Sequence, residues 1–348
     1  MKTRITELFG IKYPIVMAGM SWISTPEMVA AVCNAGGIGI LATGPLNKDT
    51  TRAAIRRVRE LTNKPFAANT TLMFPGSKEN ALVMLEEKVP VINFALGKGD
   101  WLCREAHKYG GKVVATVVME KHAVAAQAQG CDAVIATGHE AAAHGEEVTT
   151  MLLVPSISRA VDIPVIAAGG VADGRGLAAA LALGAEGVSM GTRFMTTKES
   201  PLHQNFKDLS LQKTVYDTMF SKRFDGIFCR IMDAPGARKQ LKAGLNPIQL
   251  LKALPNSRFI AKQMRMPYLK MFFGVLLSGW KNSRQLAYMA NAFDMMSRAT
   301  MDGDVKKGIL PVGQTTGLVD DLPTVKELLD RMVKEAEVVA KSVVKKMA

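Results

Sequence analysis

The chain has 348 residues, of which 48% are hydrophobic and 22% charged, a globular composition with room for one large barrel plus an added segment, or for two domains. Its net charge of +13 is local: residues 201–310 hold 18 Lys/Arg against 7 Asp and no Glu, a net of +11. No apolar run reaches the roughly 18 residues of a membrane span, no nucleic-acid motif is present, and Cys33, Cys103, Cys131 and Cys229 lack the CxxC spacing of a zinc site or the pattern of a disulfide framework.

The N-terminus, MKTRITELFG, has charge but no apolar core of signal-peptide length, so a cytoplasmic protein is expected. Tyr13 to Gly19 reads as a buried strand, and Ser24-Thr25-Pro26-Glu27 opens a helix with a cap, a proline and an acid in the first turn. Gly36, Gly37 and Gly39 precede the next strand, 38–43, whereas a dinucleotide fingerprint needs its glycines after a strand and before a helix, which rejects that fold. The pattern then repeats: helix 49–62, strand 65–72, helix 78–88, strand 89–95, helix 100–109, strand 112–118, helix 120–129, strand 131–137. Continuous apolar strands separated by helices predict a parallel sheet with helices outside it.

The strand Ile163–Ala168 ends in Gly169-Gly170 and is followed by a helix over 177–183, and the strand 186–190 ends in Gly191-Thr192. Counted from Tyr13 these are the seventh and eighth strands, which predicts an α/β fold of the (β/α)₈ TIM-barrel type. Residues 201–310 interrupt the rhythm with Met-rich helical pieces, and the pattern resumes at Gly313-Gln314 with a helix from Pro323 onward. The expected organisation is a barrel of residues 1–200 and 311–348 with a basic helical subdomain, 201–310, inserted after strand 8 and covering the barrel mouth. MFFGVLLSGW (271–280) within it is too short to cross a bilayer and reads first as core packing, with a lipid or acyl contact as the alternative. A homodimer is compatible with such apolar helices.

Barrel enzymes carry their chemistry at the C-terminal strand ends. The backbone N–H groups of Gly169, Gly170, Gly191 and Thr192 at the ends of strands 7 and 8 suit a phosphate. After strand 6 the loop Gly138–Glu147 offers His139, His144 and three glutamates. Their spacing is not that of metal ligands, so no metal is expected, and His144 is the candidate general base or hydrogen-bond donor. The small residues Ala141–Ala143 beside it leave room for a flat ring.

With PIVMAGM near the N-terminus, Asn69 at the end of strand 3, the Gly-His-Glu-Ala-Ala-Ala-His-Gly loop, AAGGVADGRG and SMGTRF, the chain resembles the nitronate monooxygenase family, formerly called 2-nitropropane dioxygenases. The resemblance covers residues 1–200 and returns at Gly313–Leu318. It implies an FMN-dependent barrel, related to NAD(P)H:quinone reductases and flavin-type enoyl-[acyl-carrier-protein] reductases. By resemblance, Gly169, Gly170, Gly191 and Thr192 hold the FMN phosphate. Ala18, Gly19, Met20 and Asn69 line the ring and ribityl chain, Thr116 and Gln314 lie nearby, and His144 is catalytic. The quinone-reductase branch tends to carry a lysine near Thr116, which weakens that assignment, and Ala142-Ala143 replace the two glycines of many members. The implied activity is oxidation of alkyl nitronates with O₂ to carbonyl compounds and nitrite. The alternative is NAD(P)H-dependent reduction of a quinone or an enoyl thioester, with the basic insertion suited to an anionic carrier.

Overall fold

Eight short strands pair in parallel, each with the next in sequence and the eighth with the first, so the sheet closes without an edge. The computed structural model describes all residues except 74, 75, 143, 245, 264–266 and 278. The strands are β1 (Ile15–Met17), β2 (Ile38–Ala42), β3 (Ala67–Thr71), β4 (Val91–Ala95), β5 (Lys112–Val117), β6 (Ala133–Thr137), β7 (Val165–Ala168) and β8 (Gly187–Met190). Helix α1 (Arg4–Phe9) precedes them. After β1 to β7 come α2 (Pro26–Asn34), α3 (Lys48–Leu61), α4 (Ser77–Glu86), α5 (Asp100–His107), α6 (Glu120–Ala128), α7 (Thr150–Ala160) and α8 (Gly174–Ala182), and a one-turn α9 (Thr192–Met195) follows β8. This is the (β/α)₈ barrel that the alternation of strands and helices predicts.

Strand alternation separates two cores. Val16, Ile38, Ile40, Ala67, Val91, Val114, Ala133, Ile135 and Ile166 fill the barrel interior together with Ile5 and Phe9 of α1, which plugs the N-terminal end. The intervening residues, such as Ile15, Met17, Leu41, Ile92, Val113 and Val188, pack outward against the helices. Nearer the C-terminal ends the strand register aligns Asn69 with Asn93, Thr116 with Ile135, Thr137 with Ala168 and Ala168 with Ser189. The inner face thus turns small and polar toward one end, which leaves that end open.

Helix α7 was not legible in advance, because its first turn is capped from a distance. Its Thr149 makes no side-chain cap, and instead the Glu140 Oε2 accepts hydrogen bonds from Thr150 N (2.8 Å) and Thr150 Oγ1 (2.9 Å).

The segment 201–310 comprises α10 (Gln204–Ser210), β9 (Thr218–Ser221), β10 (Cys229–Met232), α11 (Pro235–Ala243), α12 (Pro247–Gln263), α13 (Tyr268–Leu277) and α14 (Trp280–Thr300). It is mostly helical and adds an antiparallel β9–β10 pair that strands of four residues do not announce. Phe206, Met232 and Ala299 of this segment pack with Ile23 and Met195 of the barrel, tying the two together. The chain then returns through a 3₁₀ turn (Gln314–Leu318) to α15 (Val325–Met347), capped by Thr324 and Glu327. Helix α15 lies against α8 so closely that a Cβ at Gly174 would stand 2.4 Å from the Met332 carbonyl oxygen.

Asp321 locks this return. The Arg193 side chain, 3% exposed on α9, places Nη2 2.5 Å from Asp321 Oδ1, and Arg331 of α15 reaches Asp321 Oδ2 at 2.6 Å. The Arg331 guanidinium holds the Asp321 carboxyl below its ordinary pKa, against a partial opposing effect of burial. Because the folded value is the lower one, the stabilisation is complete above the unfolded carboxylate pKa and is lost as pH falls through the folded value. Asp321→Asn should therefore cost about 1–2 kcal/mol in urea denaturation, since it leaves the buried Arg193 guanidinium without its carboxylate, held by Thr196 Oγ1 and the backbone carbonyl of residue 321. Adding Arg193→Met should recover part of that loss, and a single-variant cost below about 0.5 kcal/mol would refute the lock.

Candidate active site

The polar end of the barrel opens into a cavity of about 1150 Å³, roofed by α12, α13 and α14. Ala18, Gly19, Met20, Asn69, Thr116, His144, Gly169, Gly170, Gly191 and Thr192 all line it. Gln314 is set back, with its neighbours Gly313 and Thr315 on the wall and its backbone N–H donating to the Glu140 carbonyl (2.9 Å).

Several features suit a flat, phosphate-bearing group. Gly169 and Gly170 have φ of +100° and +76°, a left-handed turn that a side chain would strain. In the one-turn α9 the Phe194 and Met195 N–H groups donate to the Gly191 carbonyl, so the amides ahead of the first helical bond are those of Thr192 and Arg193. Thr192 Oγ1 accepts the Gly313 N–H at 2.8 Å, which joins the two halves of this wall. Gly19 runs so close to Asn69 that a Cβ there would meet Asn69 Nδ2 at 2.5 Å. Asn69 in turn accepts from Thr43 N (3.3 Å), and Asn93 Nδ2 donates to Thr116 Oγ1 (3.0 Å), so these polar groups are held in place.

His144 is oriented by a residue that sequence reasoning missed. Its Nε2 lies 2.6 Å from Oδ2 of Asp225, whose side chain is 6% exposed. Asp225 is itself fixed, because Oδ1 accepts from Ile227 N (3.0 Å) and its carbonyl accepts from Gln285 Nε2 (2.6 Å). An ionised carboxylate only accepts, so Nε2 carries the hydrogen and Nδ1 is the nitrogen left for other chemistry.

The same strand pair grips the rest of the loop. Arg230 of β10, buried, donates from Nε to the His139 carbonyl (3.0 Å) and from Nη1 to Thr218 Oγ1 (3.0 Å). Its guanidinium lies over Phe220, whose ring meets His139 edge-on at 4.6 Å. Burial lowers the Arg230 pKa, with Glu140 opposing the shift, and an arginine stays charged regardless. His139 and Glu140 are thus taken up by packing and by the α7 cap, while His144 faces the cavity. Of the run of small residues, Ala141 and Ala142 line the wall and Ala143 lies outside the described residues.

Two strained residues mark the rim. Trp22 (φ 61°) and Leu96 (φ 53°) are left-handed without being glycine, at about 1 kcal/mol each, and both line the cavity. Trp22 meets Phe293 of α14 edge-on at 4.4 Å.

The family model for nitronate monooxygenase matches residues 2–81 and 74–335. The chain belongs to the nitronate monooxygenase family. It is an oxidoreductase, and members of this family are flavin-dependent. One similar protein is (3aS,4S,5R,7aS)-5-hydroxy-7a-methyl-1-oxo-octahydro-1H-indene-4-carboxyl-CoA dehydrogenase of Rhodococcus jostii, 36% identical over 97% of this chain and 96% of its own length. A probable nitronate monooxygenase of Staphylococcus saprophyticus is 34% identical over 65% of this chain and 77% of its own. The solved structure of FabK from Thermotoga maritima superposes with a TM-score of 0.84 at 37% identity, covering 99% of each chain. Among the described residues no helix is long and apolar enough to cross a membrane, and no group of three His, Cys, Asp or Glu is placed to hold a metal.

Gly170→Asp tests whether this wall takes the phosphate of a flavin. A carboxylate there opposes an anionic phosphate, and the protein should purify without the yellow flavin absorbance. Full flavin occupancy in a folded variant would refute the assignment.

Proposed function

We propose that this protein is an FMN-dependent oxidoreductase in which His144 holds or moves a proton at the carbon next to an electron-withdrawing group. Its favoured substrate is an acyl thioester and its redox partner NAD(P)H. The observation that carries the reading is the setting of His144: it lines a large cavity with an apolar roof while a buried aspartate fixes its Nε2 at 2.6 Å.

Gly169, Gly170, Gly191 and Thr192 would hold the FMN phosphate through backbone N–H groups. Ala18, Gly19, Met20, Asn69 and Thr116 would flank the ring and ribityl chain, and Gln314 would act through the backbone contact that braces the wall. FMN bound there would supply the redox chemistry. The protein contributes position, water exclusion and the proton. Asp225 fixes the His144 ring, and Nδ1 would deliver or receive the proton at the substrate carbon. The segment 201–310 would act as the cover that excludes water.

The thioester is favoured by the relatives matched over nearly the whole chain, one of which is named for a CoA thioester. The +11 segment also suits the phosphates of CoA or an acidic acyl carrier. An alkyl nitronate is the second reading, supported by the family model and the staphylococcal relative. In that case Nδ1 would take the α-proton of a nitroalkane.

Anaerobic stopped-flow mixing with NADH, NADPH and ethyl nitronate separates the two. Under the thioester reading a reduced nicotinamide bleaches the flavin band and an enoyl-CoA restores it. Bleaching by the nitronate alone would move the assignment to nitronate oxidation. His144→Ala should keep the flavin and cut turnover by roughly 10²-fold. Asp225→Asn should cut turnover by roughly tenfold and displace its pH profile, because the ring loses the group that fixes its tautomer. Unchanged rates in either variant would remove that residue from the mechanism.

A further inference from the structure

Helix α13 is apolar on both sides. Met271, Phe272, Val275 and Leu276 line the cavity, yet Leu269, Phe273 and Leu277, spaced i, i+4, i+8, are 66%, 56% and 86% exposed. On the adjoining α12, Ile248 and Leu251 are 63% and 68% exposed. A single exposed leucine needs no explanation, but an exposed stripe of three large apolar residues on one helix lacks the partner that such a stripe requires.

Charge indicates the partner. From 234 to 293 the sequence carries ten Lys/Arg and no Asp or Glu, and Lys252, Arg258, Lys262, Lys281 and Arg284 are exposed around the apolar stripe. A second copy of the chain would set this basic field against itself. Aliphatic and aromatic side chains flanked by cations of one sign are what a helix lying in an anionic lipid surface presents, and Trp280, 71% exposed at the head of α14, is the residue type enriched at that boundary. At ten residues α13 is about 15 Å long, enough to lie in the interface and too short to cross it.

We propose that the α12–α13 face docks on the surface of a bilayer containing anionic phospholipid. Since α13 presents its other side to the cavity, docking sets the roof of the active site against the acyl layer, where a substrate with an apolar chain is concentrated. The docking itself does not depend on which substrate the enzyme turns over.

The test is sedimentation of the purified full-length protein with phosphatidylcholine vesicles, with and without about one third phosphatidylglycerol. The expected result is binding to the anionic vesicles alone, weakened by salt and accompanied by a blue shift of tryptophan emission. The double variant Phe273→Glu, Leu277→Glu changes exposed positions outside the cavity wall, so it should fold, keep flavin absorbance and NAD(P)H-dependent bleaching, and lose binding by roughly tenfold or more. Lys252→Glu with Lys281→Glu should weaken binding and its salt dependence together. Failure of the wild type to bind anionic vesicles at low salt would overturn the proposal. So would binding that the apolar double variant leaves intact. A dimer by light scattering that this variant dissociates, or capture of an acidic acyl carrier lost in the same variant, each without vesicle binding, would assign the face to protein contact and overturn it equally.

Discussion

The hydrogen bond between His144 and Asp225 joins two parts of the molecule that the sequence keeps apart. His144 sits on a loop of small residues at the end of β6, a backbone with little of its own to hold a ring in one orientation. Asp225 comes from the turn between β9 and β10, 81 positions later, and is buried and fixed by a backbone amide and Gln285. Burying a carboxylate is costly without partners, so the turn is stable only when seated against the loop it orients. Arg230 of β10 works in the same sense, bonded to the His139 carbonyl and lying over Phe220. The β9–β10 turn and the loop that carries His144 are therefore tied together, and loosening either disturbs the other.

This coupling explains which parts of the molecule can be read from the chain and which cannot. Barrel strands are continuous apolar runs of five or so residues with glycine at their ends, and the helices between them carry local caps such as Thr25 and Asn47. Such signals are short-range and survive in a linear reading. The glycine pair after β7 is legible for the same reason, since a left-handed turn can be inferred from residue type. Asp225 and Arg230 carry no such mark: each is a charged residue in a strongly basic stretch and becomes functional only through a contact far along the chain. Helix α7 was hidden likewise, capped by Glu140 rather than by a neighbour. The β9–β10 pair escaped because four-residue strands joined by a turn have too few alternations to set a period.

The gradient inside the barrel is as important as its closure. Branched aliphatics fill the lower layers, and α1 seals the bottom with Ile5 and Phe9. Above them Asn69, Asn93, Thr116, Thr137 and Ser189 take the same inward positions with shorter, hydrogen-bonding side chains. The stability of the closed sheet is thus concentrated at one end, while the other has space and directed polar groups. Strain is tolerated at that end too, where Trp22 and Leu96 hold unfavourable backbone angles on the rim. An oxidoreductase family with relatives named for different substrates is consistent with such a division, because the roof can change without disturbing the packed floor.

The position of α15 sets an order of events during synthesis. Helix α15 sits between α8 and α2 in the outer ring, with the Met332 backbone pressed onto Gly174 and Val325 bonded to Glu199. All eight strands leave the ribosome before it does, and so does the whole of 201–310. The apolar sides of α8 and α2 that α15 covers therefore lack it for as long as more than a hundred residues take to be translated. At about 5–20 residues per second that is several seconds or more, a window in which a chaperone has a defined apolar surface to shield.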